Sequence, residues 1–255
     1  MMMDSSPGPE PFEIEMATLS DAGTERGHNE DHCGKYIKSK TCGLVAVADG
    51  MATMEGGDLA SQRAILALMR SFRELAPGMT QAQHLVRAAR NANYEVYDMA
   101  VIVPQLRGMS TTLTAVAVKD GDFTAAHVGN SRVYLLRDGY INQLSKDHTV
   151  AAEAATETGH YVLKGSDVLT RAIGRELIVP IDLFELDLMQ GDVVVLCTDG
   201  LYRVLEDLEI AELVKGIDAA SACRKLVDAA NAIGTLDNLT VAIMRVIGET
   251  PGTRR

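Results

Sequence analysis

The sequence predicts an α+β layered sandwich, and two observations support this fold class. Six apolar segments rich in β-branched residues are typical of strands, whereas three longer segments carry apolar residues at helical spacing. The helical segments stand between groups of strands instead of following every strand. This order argues against a regular βαβ alternation and therefore against a Rossmann fold.

The predicted strands are short apolar runs bounded by turn residues. They are Gly43–Ala48, Thr111–Lys119, Phe123–Val128, Arg132–Arg137, Val193–Thr198 and Leu239–Val246. The pairs Asp120-Gly121 and Asp138-Gly139 predict tight hairpin turns. Short turns imply antiparallel pairing, and runs that lack polar alternation are typical of strands covered on both faces.

Three segments have the apolar spacing of amphipathic helices. They are Leu59 to Leu75, Thr80 to Met99 with Thr80 as the N-cap, and Ala219 to Ala232. No linker divides the chain of 255 residues, of which 47% are apolar. We therefore predict one domain over residues 13–247, with disordered tails at 1–12 and 248–255.

Composition narrows the possible partners. The formal net charge of −11 repels nucleic acid and anionic membranes, so we expect neither as a partner. We also expect the protein to be a monomer. The same charge repels phosphate, so an enzyme acting on phosphate would need local arginine or metal. The four cysteines are scattered without metal-binding spacing, and no run of about 18 apolar residues occurs, which together favour a cytoplasmic protein.

Three aspartates occupy equivalent places beside apolar strands. Asp49 and Asp199 each follow a run and precede a glycine, and the pair Asp237-Asn238 stands directly before the last run. Rigidly supported carboxylates are hard oxygen ligands that suit Mg²⁺ or Mn²⁺. The alternative is that these are ordinary Asp-Gly and Asp-Asn turns, and spacing alone leaves both interpretations open.

Eight segments of the chain resemble motifs of the metal-dependent protein phosphatases, the PPM or protein phosphatase type 2C family. They follow one another in the order that the motifs have in that family. They are Ser20–Asp31, Val47–Met51, Gly108–Leu113, Val128–Tyr134, Leu144–Thr149, Leu169–Gly174, Cys197–Leu201 and Asp237–Thr240. The resemblance extends from about Ala17 to Val246. It implies a four-layer α-β-β-α sandwich of two antiparallel sheets flanked by helix pairs.

The resemblance also implies a site for two or three Mn²⁺ or Mg²⁺ ions. Asp49 would bridge two ions, and the carbonyl of Gly50 would bind one of them. Asp199 and Asp237 would complete the coordination of the other ion. The remaining implied residues are Asp31 as a ligand, Asp147 at a third ion, Arg26 at the phosphate, and Glu30 and Asn238 as supports of the ligands.

The implied activity is a bacterial serine/threonine phosphoprotein phosphatase opposing a Ser/Thr kinase. Water activated by the metals would attack phosphorus in line without a covalent intermediate, with Arg26, Asp49 and Asp199 as the catalytic residues. The alternatives are a catalytically weak regulatory binding module and a different metal hydrolase such as a nucleotide phosphatase. His28 and His148 are alternative proton donors to the leaving oxygen, although a histidine beside acids is more often simply hydrogen-bonded.

The chain departs from the family pattern in several places. Bacterial relatives usually have Gly-Gly-His where this chain has Ala52-Thr53-Met54, and Met51 occupies a position that is a catalytic histidine in some relatives. We therefore expect proton donation from water or from an unassigned group. The loop from Val150 to Val168 is short for the family's flap. We expect Asn130, Ser131 and Arg132 to hold a turn.

Overall fold

The computed structural model describes residues 13–52, 55–74, 78–158 and 167–248. Its strands are β1 (Glu13–Asp21), β2 (Asp31–Ser39), β3 (Cys42–Met51), β4 (Ser110–Thr111), β5 (Leu113–Lys119), β6 (Asp122–Val128), β7 (Arg132–Arg137), β8 (Tyr140–Gln143), β9 (Asp182–Asp187), β10 (Val193–Cys197) and β11 (Leu239–Ile247). Its α-helices are α1 (Gly57–Arg73), α2 (Gln81–Ile102), α3 (Val150–Thr158), α4 (Asp199–Tyr202), α5 (Asp207–Val214) and α6 (Ala219–Ile233). A 3₁₀ turn spans Pro104–Leu106.

The strands form two antiparallel sheets. The first sheet has the order β1-β11-β10-β7-β8, and the second has the order β2-β3-β5-β6-β9 with β4 paired to β3. In the β5–β6 hairpin, Lys119 pairs with Asp122, and both turn residues have positive φ, which confirms the Asp120-Gly121 turn. Asp138 and Gly139 also have positive φ and form the predicted tight turn between β7 and β8.

Three apolar clusters separate four layers. Side chains of α1 and α2 pack on one face of the second sheet, where they meet Leu44, Ala46 and Ala48 of β3. The alternate residues Val45 and Val47 of β3 face the first sheet in the central cluster. The third cluster lies between the first sheet and α4 to α6. The predicted four-layer sandwich is confirmed, and β3 lacks polar alternation because both of its faces are buried.

The predicted helices are present with small shifts at their ends. Thr80 caps α2, since its hydroxyl accepts from the Gln83 N–H while the Gln83 side chain accepts from the Thr80 N–H. Leu75, where the first predicted helix ends, lies outside the described residues, as do Thr53, Met54 and 159–166 of the predicted flap loop. Residues 1–12 and 249–255 also lie outside, so the domain boundaries and tails stay a prediction. In the described part of the chain, no helix has the length and apolar character needed to cross a membrane.

The helical layer over the second sheet gives a stability prediction. Leu68 on α1 is fully buried, whereas Leu66 on the same helix is 53% exposed. Replacing Leu68 by Ala removes methyl groups and leaves a cavity, so we expect a loss of about 2–5 kcal/mol in the free energy of unfolding. Leu66→Ala is the matched control, with an expected change within about 0.5 kcal/mol. Urea denaturation measures both, and equal losses would contradict the described packing of α1.

Candidate active site

Acidic residues from both sheets lie near one another where the sheets meet. Asp31 begins β2 and pairs in register with Asp49 on β3. Asp199 begins α4 directly after β10, and Asp237 lies two residues before the neighbouring strand β11. The Thr198 hydroxyl donates to Oδ2 of Asp31 at 2.7 Å, which joins the two sheets at this point. The structure therefore brings together four of the predicted metal-binding acids.

Burial and mutual repulsion act on Asp31. The pKa of Asp31 is raised to about 7. Burial is the largest cause, the hydrogen bonds from Thr198 and Thr240 oppose it, and the charges of Asp199 and Asp237 reinforce it. A carboxylate that is buried near like charges resists ionisation unless a cation is present. The site thus favours binding of a positive charge beside Asp31.

Two further acids of the cluster experience the same effect. Burial raises the pKa of Asp49 well above its ordinary value, and the charges of Asp31, Asp199 and Asp237 add to the increase. Burial likewise raises the pKa of Asp199, an effect that the Arg203 charge opposes and the Asp237 charge reinforces. Hard, crowded carboxylate oxygens of this kind fit Mg²⁺ or Mn²⁺.

The backbone at Gly50 is too crowded for any side chain. A Cβ on Gly50 would lie 1.9 Å from the carbonyl oxygen of Gly57 and 2.5 Å from that of Glu30.

The Glu30 carboxyl lies against the first turn of α1, because a Cβ on Gly57 would lie 2.4 Å from Oε1 of Glu30. A negative charge is favoured at a helix N-terminus, which stabilises this position of the Glu30 carboxyl. Its predicted role as a support of metal ligands stays a prediction.

Asn238 fixes the loop that carries Arg26. Its Nδ2 donates to the carbonyl oxygens of Ala22 and His28, both at 2.9 Å. Its Oδ1 accepts from the backbone N–H of Glu30, also at 2.9 Å. Three bonds from one buried amide therefore hold both ends of this loop. The predicted role of Asn238 as a support of metal ligands stays a prediction.

Arg26 lies at the edge of the acid cluster. Its Nη2 is 3.0 Å from Oδ1 of Asp237, and its Nε donates to the carbonyl oxygen of Leu236 at 3.4 Å. The side chain is 50% exposed. Arg26 is therefore held beside the acids while its guanidinium remains accessible to a ligand.

Asp147 has a different partner. The Arg132 guanidinium donates to both of its carboxylate oxygens at 2.8–3.2 Å and stacks 3.6 Å from the ring centre of Tyr202. Gln143 also donates to Asp147, at 3.1 Å. The structure therefore places Asp147 in an ion pair rather than in direct contact with Asp199, and its role at a third ion stays a prediction.

His148 has partners at both ring nitrogens. The Gly129 N–H donates to Nδ1 at 3.0 Å, so Nε2 carries the proton of the neutral ring and lies 3.1 Å from Oδ2 of Asp182. Burial lowers the pKa of His148, which keeps the ring neutral. This geometry favours a structural role for His148 over proton donation. His28 contributes its backbone carbonyl to Asn238.

Three contacts of the cluster were not predicted from the sequence. Arg203 lies 2.8 Å from Oδ2 of Asp199, and the Asn130 amide donates to the same oxygen at 3.2 Å. Thr198 was included only in a strand, yet its hydroxyl binds Asp31. The spacing of Arg203, four residues after Asp199 on a helical turn, was the available signal.

The four acids do not form a closed metal cage in this structure. In the ranges that the structure describes, no group of three or more His, Cys, Asp and Glu side chains is arranged closely enough to hold an ion. Asp237 instead pairs with Arg26 and Asp199 with Arg203. The donor set still fits a hard divalent ion, because burial and repulsion leave its carboxylates short of positive charge.

The four-layer sandwich and the acid cluster together define a metal-dependent phosphatase of the PPM class. A family model described as Protein phosphatase 2C matches residues 24–236. The chain belongs to the protein phosphatase 2C family, as its motifs indicated. The sequence predicts the activity of a serine/threonine protein phosphatase. Relatives that match nearly the whole chain confirm this class of activity.

Two curated relatives illustrate the similarity. The serine/threonine phosphatase stp of Listeria monocytogenes is 31% identical over 235 residues, covering 88% of this chain and 93% of that protein. The serine/threonine protein phosphatase PstP of Mycobacterium tuberculosis is 32% identical over 240 residues, which are 92% of this chain and 45% of that protein.

Solved structures agree with these relatives. The crystal structure of the Mycobacterium tuberculosis phosphatase PstP/Ppp superposes with a TM-score of 0.83 at 30% identity, covering 92% of this chain and 99% of that chain. A structure of the PstP catalytic domain in complex with two manganese ions gives a TM-score of 0.81 with the same identity and coverage.

The raised pKa of Asp31 predicts a pH-dependent stability of the metal-free protein. The folded chain binds this proton more tightly than the unfolded chain, because the pKa rises from 3.8 to about 7 on folding. Stability from this group therefore falls as pH rises through that window. We expect Asp31→Asn to stabilise the protein in EDTA, and to do so more strongly near pH 8 than near pH 4.5.

Urea denaturation of the variant and the wild type at both pH values tests this prediction. Comparing the two proteins at each pH cancels the titration of His127 and His148, whose pKa values burial lowers. The same stability difference at both pH values would show that Asp31 ionises normally in the folded chain.

Proposed function

We propose that this chain hydrolyses phosphoserine and phosphothreonine esters of proteins through the acid cluster at the meeting point of its sheets. The observation that carries the proposal is the gathering of Asp31, Asp49, Asp199 and Asp237 from distant parts of the chain. Three of them have pKa values raised by burial and by one another's charge. Such an arrangement costs stability unless it binds cations, so its presence favours a metal-binding role.

The residues proposed to hold two Mn²⁺ or Mg²⁺ ions are those four carboxylates and the backbone carbonyl of Gly50, with Asp147 as the candidate at a third ion. When bound, such ions offset the charge of the phosphoryl oxygens and make water a stronger acid. The protein contributes fixed ligand positions. Thr198 holds Asp31, and Asn238 holds the loop from Ala22 to Glu30 through three hydrogen bonds.

Arg26 is the proposed phosphate-binding residue. A guanidinium offers two parallel donors that match two phosphoryl oxygens. In this structure Asp237 orients the group from one side while half of the side chain remains exposed. An incoming phosphate can therefore reach Arg26 without breaking the buried part of the site.

Direct attack by water is consistent with the state of the thiols. Burial raises the pKa values of Cys33, Cys42, Cys197 and Cys223, in the case of Cys223 to about 12. A thiol must lose its proton to act as a nucleophile, so these cysteines are poor candidates for a covalent intermediate. We therefore propose in-line attack by water on phosphorus.

The biological setting is proposed on coarser grounds. A protein phosphatase requires a kinase that supplies its phosphorylated substrates, and we propose a cognate Ser/Thr kinase acting in the same cytoplasm. The free cysteines in the described residues fit a reducing compartment. We also propose that the chain acts as a monomer through the phosphatase domain at residues 13–247.

Removing a metal ligand tests the proposed chemistry. We expect Asp49→Asn to lower the Mn²⁺-dependent hydrolysis of a phosphothreonine peptide by more than roughly a hundredfold, because Asn cannot supply the charge that holds a divalent ion. Asp228→Asn is a matched control, since Asp228 is exposed on α6. Calorimetric titration with Mn²⁺ and circular dichroism separate a lost metal from a lost fold.

Several outcomes would contradict the proposal. Full turnover by Asp49→Asn at ordinary Mn²⁺ concentrations would remove Asp49 from the metal site. Absence of wild-type turnover on any phosphopeptide would favour the regulatory binding module. Faster hydrolysis of nucleotides than of phosphopeptides would favour a nucleotide phosphatase.

Arg26 gives a separate prediction about substrate binding. We expect Arg26→Ala to raise KM for a phosphopeptide by roughly tenfold or more while changing kcat less, because charge-assisted hydrogen bonds to the phosphate are lost in the bound state. Arg26→Lys keeps the charge without the fork and should lie between the two. Steady-state kinetics at saturating Mn²⁺ provide the measurement, and an unchanged KM would show that Arg26 does not bind phosphate.

A further inference from the structure

Arg203 connects the acid cluster with the segment that follows residues 159–166. It lies one helical turn after Asp199, directly beyond α4, and its Nη2 is 2.8 Å from Oδ2 of Asp199. The same nitrogen is 3.3 Å from Oδ2 of Asp167. One guanidinium group therefore bridges a proposed metal ligand and an acid outside the cluster.

The charge of Arg203 acts on more than its direct partner. Burial and the charges of Asp31 and Asp199 raise the pKa of Asp49 well above its ordinary value, and the charge of Arg203 opposes that rise. Burial of Arg203 disfavours its charged form, but Asp199, Asp167 and Asp237 outweigh this effect and raise the pKa of Arg203. Arg203 thus supplies positive charge to the region that the proposed ions would occupy.

Arg203 and a divalent ion would compete for the same carboxylate. Oδ2 of Asp199 already lies in an ion pair with Arg203 and accepts a hydrogen bond from the Asn130 amide. A guanidinium has no lone pair to offer a metal, and its positive charge repels one. An ion that binds Asp199 through this oxygen must therefore displace Arg203.

We propose that Arg203 is a built-in counter-ion of the acid cluster, which stabilises the metal-free chain and which a divalent ion must displace from Asp199. This inference rests on the metal site of the proposed function. It makes Arg203 a positioning residue that sets the metal concentration at which the site fills. The thermodynamic consequence is that the free energy of breaking the Arg203–Asp199 pair is subtracted from the free energy of metal binding.

Asp167 provides the displaced guanidinium with an alternative partner. It already lies within 3.3 Å of the same nitrogen, and its side chain is 73% exposed. An exposed ion pair contributes little stability, so Asp167 competes only weakly with Asp199 for the guanidinium in the metal-free chain. When an ion displaces the guanidinium from Asp199, its ion pair with Asp167 can remain. The exchange leaves neither Arg203 nor the bound metal ligand without a partner.

The experiment compares Arg203→Met with wild type after removal of metal by EDTA. Methionine keeps much of the length of the side chain but removes the charge. We expect Mn²⁺ to bind Arg203→Met more tightly, by roughly three- to tenfold at low salt, because one repelling charge and one competing bond are lost. We also expect a lower melting temperature in EDTA and a larger rise in that temperature when Mn²⁺ is added.

Two control variants separate charge from position. Arg203→Lys keeps the charge and should retain most of the wild-type Mn²⁺ affinity. Arg224→Met removes one positive charge from an exposed position on α6 and should leave Mn²⁺ affinity nearly unchanged. Isothermal titration calorimetry with Mn²⁺ measures the affinities, and thermal unfolding followed by circular dichroism measures the stabilities.

The outcomes distinguish this inference from the proposed function. If wild type binds no Mn²⁺, the metal site itself fails and the role of Arg203 fails with it. If wild type binds Mn²⁺ and Arg203→Met binds it equally or more weakly, only the counter-ion role is overturned. An increased KM for a phosphopeptide with unchanged Mn²⁺ affinity would also overturn it, since Arg203 would then be a substrate-binding residue.

Discussion

Repulsion among buried carboxylates is the constraint on which the rest of the site depends. Asp31, Asp49 and Asp199 each have a raised pKa, and in each case burial is the largest cause and a neighbouring acid adds to it. A chain tolerates such a cluster only when the surrounding layers supply enough stability to hold it. The four-layer packing provides that stability, because the central strands are buried on both faces.

The two sheets and the acid cluster depend on each other through a few hydrogen bonds. Thr198 accepts from the Thr240 N–H within the first sheet and donates to Asp31 at the start of the second. Asn238 performs the corresponding function for the loop from Ala22 to Glu30. Both residues are buried, so their bonds compete little with water and fix the loop and the ligand in one position.

Central strands could be predicted from the sequence, whereas edge strands could not. All six predicted runs correspond to strands with partners on both sides or to their direct extensions. The strands without a prediction are β1, β2, β8 and β9, which are the four sheet edges. An edge strand is partly exposed, so its apolar residues are diluted by polar ones; in β9, side chains alternate between half-buried and exposed. The apolar run that identifies a central strand is then missing.

The acids of the site could be predicted because they belong to motifs. The arginines with which they form ion pairs in the structure could not be predicted. Asp147 and Asp199 look alike in the sequence, each next to a strand or turn, yet one pairs with Arg132 and the other with Arg203. Side-chain pairing across a fold depends on where distant elements meet, which local spacing does not encode. Arginines pair with Asp199 and Asp237 and neutralise part of the charge that divalent ions would neutralise in the proposed site. In the proposed metal site, binding of an ion would therefore be an exchange of cations, and its strength would depend on the arginines as well as on the aspartates.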